Sequence, residues 1–189
     1  MGSLLQIVAS PAEGVIHVVI ESPRGATSKI KYDEELEAFT LSRPLPLGMS
    51  YPHDWGFVPG TRAEDGDPVD ALVLSEGTTF AGMVVRARPL GVVLLEQDRR
   101  EKTRGRASKK RERNDRIVAV PENAPRSEYG SVSDLPARVR AEIERFFVDV
   151  TFFQHKNAKV LGWEGPRQAM ALVARSRRGR RPARRGGRR

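Results

Sequence analysis

Over the first two thirds of the chain, apolar residues come in short β-branched runs punctuated by glycine and proline. Val15–Glu21 (VIHVVIE), bounded by Gly14 and Pro23, predicts a strand. Lys29–Asp33 and Glu37–Leu41 predict two short strands joined by a tight turn, and Pro44, Pro46 and Gly48 mark a loop. Asp54–Val58 reads as another short strand and Val69–Leu74 as a buried one. Gly82–Leu95 reads as two strand pieces broken by Pro89 and Gly91, which suggests a bend or bulge. Ile117–Val120 resumes the sheet. Then the period changes: Leu135, Val139, Ile143, Phe146, Phe147 and Val150 recur every three or four residues and predict one apolar helix face. Asp134 is the expected N-cap, with Pro136 in the first turn, and a shorter helix over Pro166–Ala174 closes the domain. Short strands followed by helices predict an α+β architecture, a small β-barrel with helices packed outside.

The 189 residues suit one domain, assigned to residues 1–174. Net charge is +9, but its location changes its meaning. The segment from Ala174 to the end holds nine arginines and no acid. A second run, Arg99–Arg116, has ten basic and three acidic residues, and what remains of the chain is net −7. Both basic segments are too poor in apolar residues to fold alone, so 99–116 is expected as a solvated insertion loop and 175–189 as a disordered Arg/Gly-rich tail. Such a tail suits weak, nonspecific polyanion binding, without the interleaved aromatics that base stacking needs. Cysteine is absent, which removes disulfides and thiolate metal sites. His17, His53 and His155 are scattered, so zinc is not expected. With no signal-peptide pattern and no membrane-length apolar run, a cytoplasmic protein is expected.

The candidate chemistry lies in Glu64–Leu74, EDGDPVDALVL. On a strand, Asp65 and Asp67 would project to one side. Gly66 and Pro68 mark a turn, and Asp70 would stand at the mouth of the strand that follows. Three ionised carboxylates so close repel unless protons or cations compensate. Hard divalent cations take oxygen ligands, and Mg²⁺ is held by a few carboxylates, waters and substrate phosphates. A solvated turn is the competing reading. An EF-hand loop fails, because its sixth position needs Gly and holds Asp70. Glu21, Lys31 and Arg43 supply a further acid and two cations of the kind phosphate recognition uses, although each alone is an ordinary surface charge.

At D-G-D-P-V-D, Asp65–Asp70, the sequence resembles the soluble family I inorganic pyrophosphatases. The likeness continues in order through VIE (Val19–Glu21), IKYD (Ile30–Asp33), Arg43, YPHDWGF (Tyr51–Phe57), RPLGV (Arg88–Val92), VAVP (Val118–Pro121), the Phe146-Phe147 helix and GWE (Gly162–Glu164). It spans roughly Val15 to Val173. The resemblance implies an OB-like five-stranded β-barrel with flanking α-helices and Mg²⁺-dependent hydrolysis of inorganic diphosphate to two phosphates, with Mn²⁺ as a substitute metal. It further implies that Asp65 and Asp70 ligate metal, that Asp67 helps deprotonate the attacking water, that Glu21 holds a further metal, and that Lys31 and Arg43 clamp phosphate. By the same analogy a homo-oligomer is expected, hexameric in bacterial members.

The sequence also departs from that pattern. Two further metal-binding aspartates are expected after the GVVLL strand, where the basic run stands instead. Asp98 is the nearest candidate for the first. Asn114 falls at the second position, with Asp115 one residue later. A phosphate-binding lysine becomes Arg116, a tyrosine beside the nucleophile becomes Trp55, and a Tyr-Lys pair in the helix becomes Val150 and Thr151, with Lys156 or Lys159 nearby. Asp33 shortens an expected Glu. The site set is therefore Asp67 for catalysis, Lys31, Arg43, Trp55 and Arg116 for substrate, and Asp65, Asp70, Glu21, Asp98 and Asp115 for metal. These losses predict slowed turnover. The alternative is a non-catalytic or repurposed paralogue that binds phosphate groups or anionic partners through the metal site and the basic segments.

Overall fold

The computed structural model describes residues 3–100, 107–123 and 128–177. Nine strands and two α-helices follow one another: β1 (Ile16–Ser22), β2 (Ser28–Asp33), β3 (Ala38–Pro44), β4 (Asp54–Val58), β5 (Val69–Val73), β6 (Val84–Arg100), β7 (Ala107–Arg113), β8 (Arg116–Pro121), α1 (Ala137–Asp149), β9 (Lys159–Glu164) and α2 (Pro166–Ser176). Neighbouring strands pair in the order β1-β4-β5-β8-β6, and β6 pairs back onto β1, which closes a ring of five strands. Within it only β5 and β8 run parallel. This is the five-stranded closure with flanking helices expected from the sequence.

Two contacts bring neighbouring strands of the sheet unusually close. A Cβ at Gly56 of β4 would strike the Val19 carbonyl of β1, and one at Gly91 of β6 would strike the Glu164 carbonyl of β9. Glycine at these points lets backbone approach backbone. Pro89 and Gly91 flank a register shift against β8, so the expected break is a bulge within one long strand rather than a boundary between two.

Side chains of the ring alternate between two apolar clusters. Val69, Ala71 and Val73 join Ile16, Val18 and Ile117 in one, against which α2 sets Ala169, Leu172 and Val173. Leu72, Leu74 and Val118 join the other, covered by Ile143, Phe146 and Phe147 of α1. Burying each such side chain is worth about 1.5–3 kcal/mol relative to exposure, which fixes the helix on the ring. Trp163 Nε1 of β9 donates to the Glu144 carboxylate of α1 and ties the helix to the sheet edge.

Three boundaries differ from expectation. Asp134 does not cap α1; it completes a capping box with Ser131 on the preceding 3₁₀ turn, and Pro136 stands at the N-cap of α1. The basic run is not simply a loop: β6 continues to Arg100 and β7 pairs back on it through Glu96–Arg113, Gln97–Glu112 and Asp98–Arg111. Cross-strand carboxylate–guanidinium pairs supply what apolar content could not. Finally, α2 runs through Ser176, so Arg175 belongs to the helix, and the tail from 178 onward lies outside the described residues. Strand β9 (KVLGWE) is half-exposed along its length and has no counterpart in the sequence-derived strands. Among the described residues no helix is long and apolar enough to cross a membrane.

Candidate active site

Strand parity sorts the polar residues. In β5, Asp70 shares the face of Leu72, away from Val69 and Ala71. In β8, Arg116 shares the face of Val118, away from Ile117 and Ala119. In β1, Val19 packs with Tyr32 and Phe57, and Glu21 follows at a register irregularity between Ile20 and Ser22. Phe57 of β4 is registered against Asp70. Ring closure thus brings Glu21, Asp70 and Arg116 to one side of the sheet. The β2–β3 hairpin leans over them, its Tyr32 ring 6.1 Å from that of Phe57.

Asp65 and Asp67 lie on a turn rather than on a strand. The Thr61 hydroxyl staples its base, donating to the Val58 carbonyl at 2.6 Å and accepting from Val69 N–H at 2.9 Å. Ala63 N–H bonds the Asp67 carbonyl at 2.7 Å, Gly66 takes φ +92°, and Asp67 N–H donates to Asp65 Oδ1 at 3.1 Å. A left-handed residue between the aspartates is what glycine allows at little cost. All three aspartates line a cavity of about 620 Å³, together with Glu21, Lys31 and Asn114.

Cations answer these acids. Lys31 Nζ bridges both Asp67 oxygens at 3.1 Å. Arg116 pairs with Asp70. The Arg116 guanidinium is buried and stacks 5.0 Å from the centroid of Trp55, and its Nε has no hydrogen-bond partner among the described residues. Burial pulls its pKa down to about 10, against the pull of Asp65, Tyr51 and Asp67. Burial also pushes the Glu21 carboxyl above its ordinary value, although Tyr32 N–H donates to Oε1 at 2.8 Å. Lys29 is brought down to about 8 by burial and then by the charge of Arg116.

A smaller cavity of about 40 Å³ adjoins, lined by Arg43, Trp55 and Val150 among others. Arg43 donates to the Val150 carbonyl at 3.1 Å and to Pro44 O at 3.3 Å, which holds it at the end of α1. Lys29, Arg116 and Lys156 line both cavities and join them. Trp55 is buried and underlies Arg116 instead of lining the larger cavity.

The structure leaves Asp98 and Asp115 out of both linings, which differs from the expectation that they join the other acids. Asp98 accepts from Arg111 and Asn157. Asp115 accepts from Leu95 N–H at 3.0 Å and from Arg113 at 2.9 Å, and so caps the sheet on its own strand junction. Lys29, which the sequence did not single out, lines the site, and so does Lys156, named from the sequence as a nearby substitute for the cation missing from the helix. The K-I-K alternation at Lys29–Lys31 was a signal for the first, since alternate strand residues share a side. Lys156 comes from a loop with no such period.

The donor set of the larger cavity fits a hard divalent cation: carboxylate and amide oxygens, with no sulfur or imidazole. The buried Glu21 carboxyl, raised in pKa by desolvation, is the clearest sign, because a nearby cation would offset the cost of burying its charge. Among the described residues no three acids or histidines converge tightly enough to hold one ion, and Asp67 and Asp70 are turned toward Lys31 and Arg116.

Fold and site together define a five-stranded ring with flanking helices that carries one cavity of carboxylates and cations. A family model described as inorganic pyrophosphatase matches residues 18–179. An inorganic pyrophosphatase of Nostoc is 38% identical over 174 residues, covering 92% of this chain and 96% of the relative. One from Thermus thermophilus is 37% identical over 169 residues, covering 88% and 90%. The crystal structure of an inorganic pyrophosphatase from Thermus thermophilus superposes with a TM-score of 0.81 at 33% identity, over 93% of this chain and 97% of that one. One from Neisseria gonorrhoeae gives 0.78 at 30%, over 91% and 95%. The chain belongs to the inorganic pyrophosphatase family.

Proposed function

We propose that this protein hydrolyses inorganic diphosphate to two phosphates with Mg²⁺ as cofactor, Mn²⁺ being able to replace it. The observation that carries the reading is one cavity whose lining interleaves Glu21, Asp65, Asp67 and Asp70 with Lys29, Lys31 and Arg116. Glu21, Asp65 and Asp70 are the proposed metal-holding residues. The metal would supply positive charge to the phosphoryl oxygens and make water more acidic. Asp67, on the exposed turn, takes the proton from the attacking water. The water oxygen bonds to phosphorus as the bridging P–O bond breaks, and the bridging oxygen leaves with the second phosphate. Lys31 pairs with Asp67 at rest and turns to phosphate when substrate enters. Arg116 offers a planar fork to the phosphoryl oxygens, with Trp55 beneath it as a platform, and Arg43 closes the far end. Asp98 and Asp115, which line neither cavity, are left out of this proposed ligand set.

The test is release of inorganic phosphate from diphosphate by the full chain with Mg²⁺, compared with Mn²⁺ and with Asp67→Asn. The wild type should turn over, and Asp67→Asn should lose about 10²–10⁴-fold in rate, the usual contribution of a positioned proton acceptor. Equal rates in the two proteins would remove Asp67 from this role.

A further inference from the structure

The end of α1 carries no cation. Val150 and Thr151 line the smaller cavity, and the Thr151 hydroxyl is turned back onto the helix, donating to the Val148 carbonyl at 3.0 Å. The chain then makes a 3₁₀ turn over Phe152–Gln154 and passes through two non-glycine residues in the left-handed region, His155 at φ 53° and Asn157 at φ 45°. Backbone of this kind is costly for ordinary residues and persists only where its surroundings enforce it. The residue between them is Lys156, which lines both cavities with Lys29 and Arg116.

The enforcing contacts come from the basic hairpin. Asp98 N–H of β6 donates to the Lys156 carbonyl at 2.7 Å. The Asp98 carboxylate accepts from the Asn157 amide on one oxygen and from Arg111 of β7 on the other, at 2.9 Å. Arg111 also donates to the Asn157 carbonyl at 2.9 Å. The loop is therefore gripped at the Lys156 carbonyl and at Asn157 by one acid and one guanidinium. Lys159, by contrast, lies on β9 and is exposed.

We infer that Lys156 is a phosphate-binding residue of the active site, delivered from the loop after α1, and that Asp98 and Arg111 of the β6–β7 hairpin are the residues that position it. Resting on the reading of the cavity as a diphosphate site, this assigns a use to the basic insertion, which latches a cation where the helix supplies none. Three cations gathered at one junction match a multiply charged anion better than a single phosphate oxygen. Burial and the charges of Arg116 and Lys29 lower the Lys156 amine to about 8, the state expected of a site waiting for its anion.

Steady-state kinetics on magnesium diphosphate and calorimetric binding of diphosphate, both with the full chain, test this. Lys156→Met should raise KM and Kd by about 10–100-fold, the worth of one charge-assisted hydrogen bond, with the melting temperature held. Lys156→Arg should recover part of the loss, and Lys159→Met should behave as wild type. Arg111→Met should shift KM in the same direction by less, with Arg111→Lys partly restoring it. Combined with Lys156→Met it should add nothing further, because the two act as one unit. Wild-type KM and Kd in Lys156→Met would overturn the assignment, and full additivity of the pair would overturn the latch. A wild-type protein without turnover would instead sink the hydrolysis reading, while the calorimetric comparison would still decide Lys156.

Discussion

Arg116 of β8 and Asp70 of β5 form an ion pair across two parallel neighbours of the ring, with the guanidinium over the Trp55 ring of β4, 5.0 Å from its centroid. Three strands therefore fix one cation at the edge of the acidic cluster. Its desolvation draws the pKa down to about 10 against the opposing pull of Asp65, Tyr51 and Asp67, and an incoming phosphate would add to that pull.

That pairing predicts a specific kinetic loss. Arg116→Met should lower kcat/KM for diphosphate by about 10²–10³-fold, the usual cost of removing one preorganised charge donor. Arg116→Lys should recover only part, since an ammonium keeps the charge but loses the fork and the stacking on Trp55. Kinetics of the two variants beside wild type decide it; wild-type kcat/KM in Arg116→Met would place the phosphate elsewhere.

Metal binding should be readable in stability. Mg²⁺ at about 100 times its Kd should stabilise the native chain by about 2.7 kcal/mol. For a chain of this length that is a rise of about 5–11 °C in melting temperature. Glu21→Gln and Asp70→Asn should shrink the rise, measured by calorimetry with and without Mg²⁺. An undiminished shift in both variants would remove these residues from the metal site.

Two half-buried lysines set an alkaline limb. Lys29 and Lys156 both titrate at about 8 in the fold, below the ordinary lysine range. Below pH 8 they are charged in the folded and unfolded chain alike, so the cost of burying that charge is fully present. As pH rises from about 8 toward the ordinary lysine value near 10.4, the unfolded chain holds protons that the fold has released, and stability rises. Diphosphate should reverse this by recharging both amines. Binding at pH 8.5–9 should therefore take up protons, visible as a buffer-dependent enthalpy. Proton-neutral binding there would mean the lysines do not face the anion.

The sequence by itself determined the acidic turn, the strands on either side of it and the helix faces. Those depend on local rules: alternation with period two, recurrence every three or four residues, and the turn preference of Gly66 and Pro68. It likewise settled that Asp65, Asp67 and Asp70 are close, because six residues of chain cannot separate them far. Only the tertiary structure decided which distant charges meet them. Asp98 and Asp115 looked acidic and near in sequence, yet Arg111, Asn157 and Arg113 engage them. Lys156 lies 86 residues beyond Asp70 on a loop without any period, and it reaches the cavity because a hairpin grips its neighbours. The basic run itself misled for a related reason. Strand pairing there rests on cross-strand ion pairs, and a partner across a hairpin leaves no trace in the hydrophobic pattern of either strand.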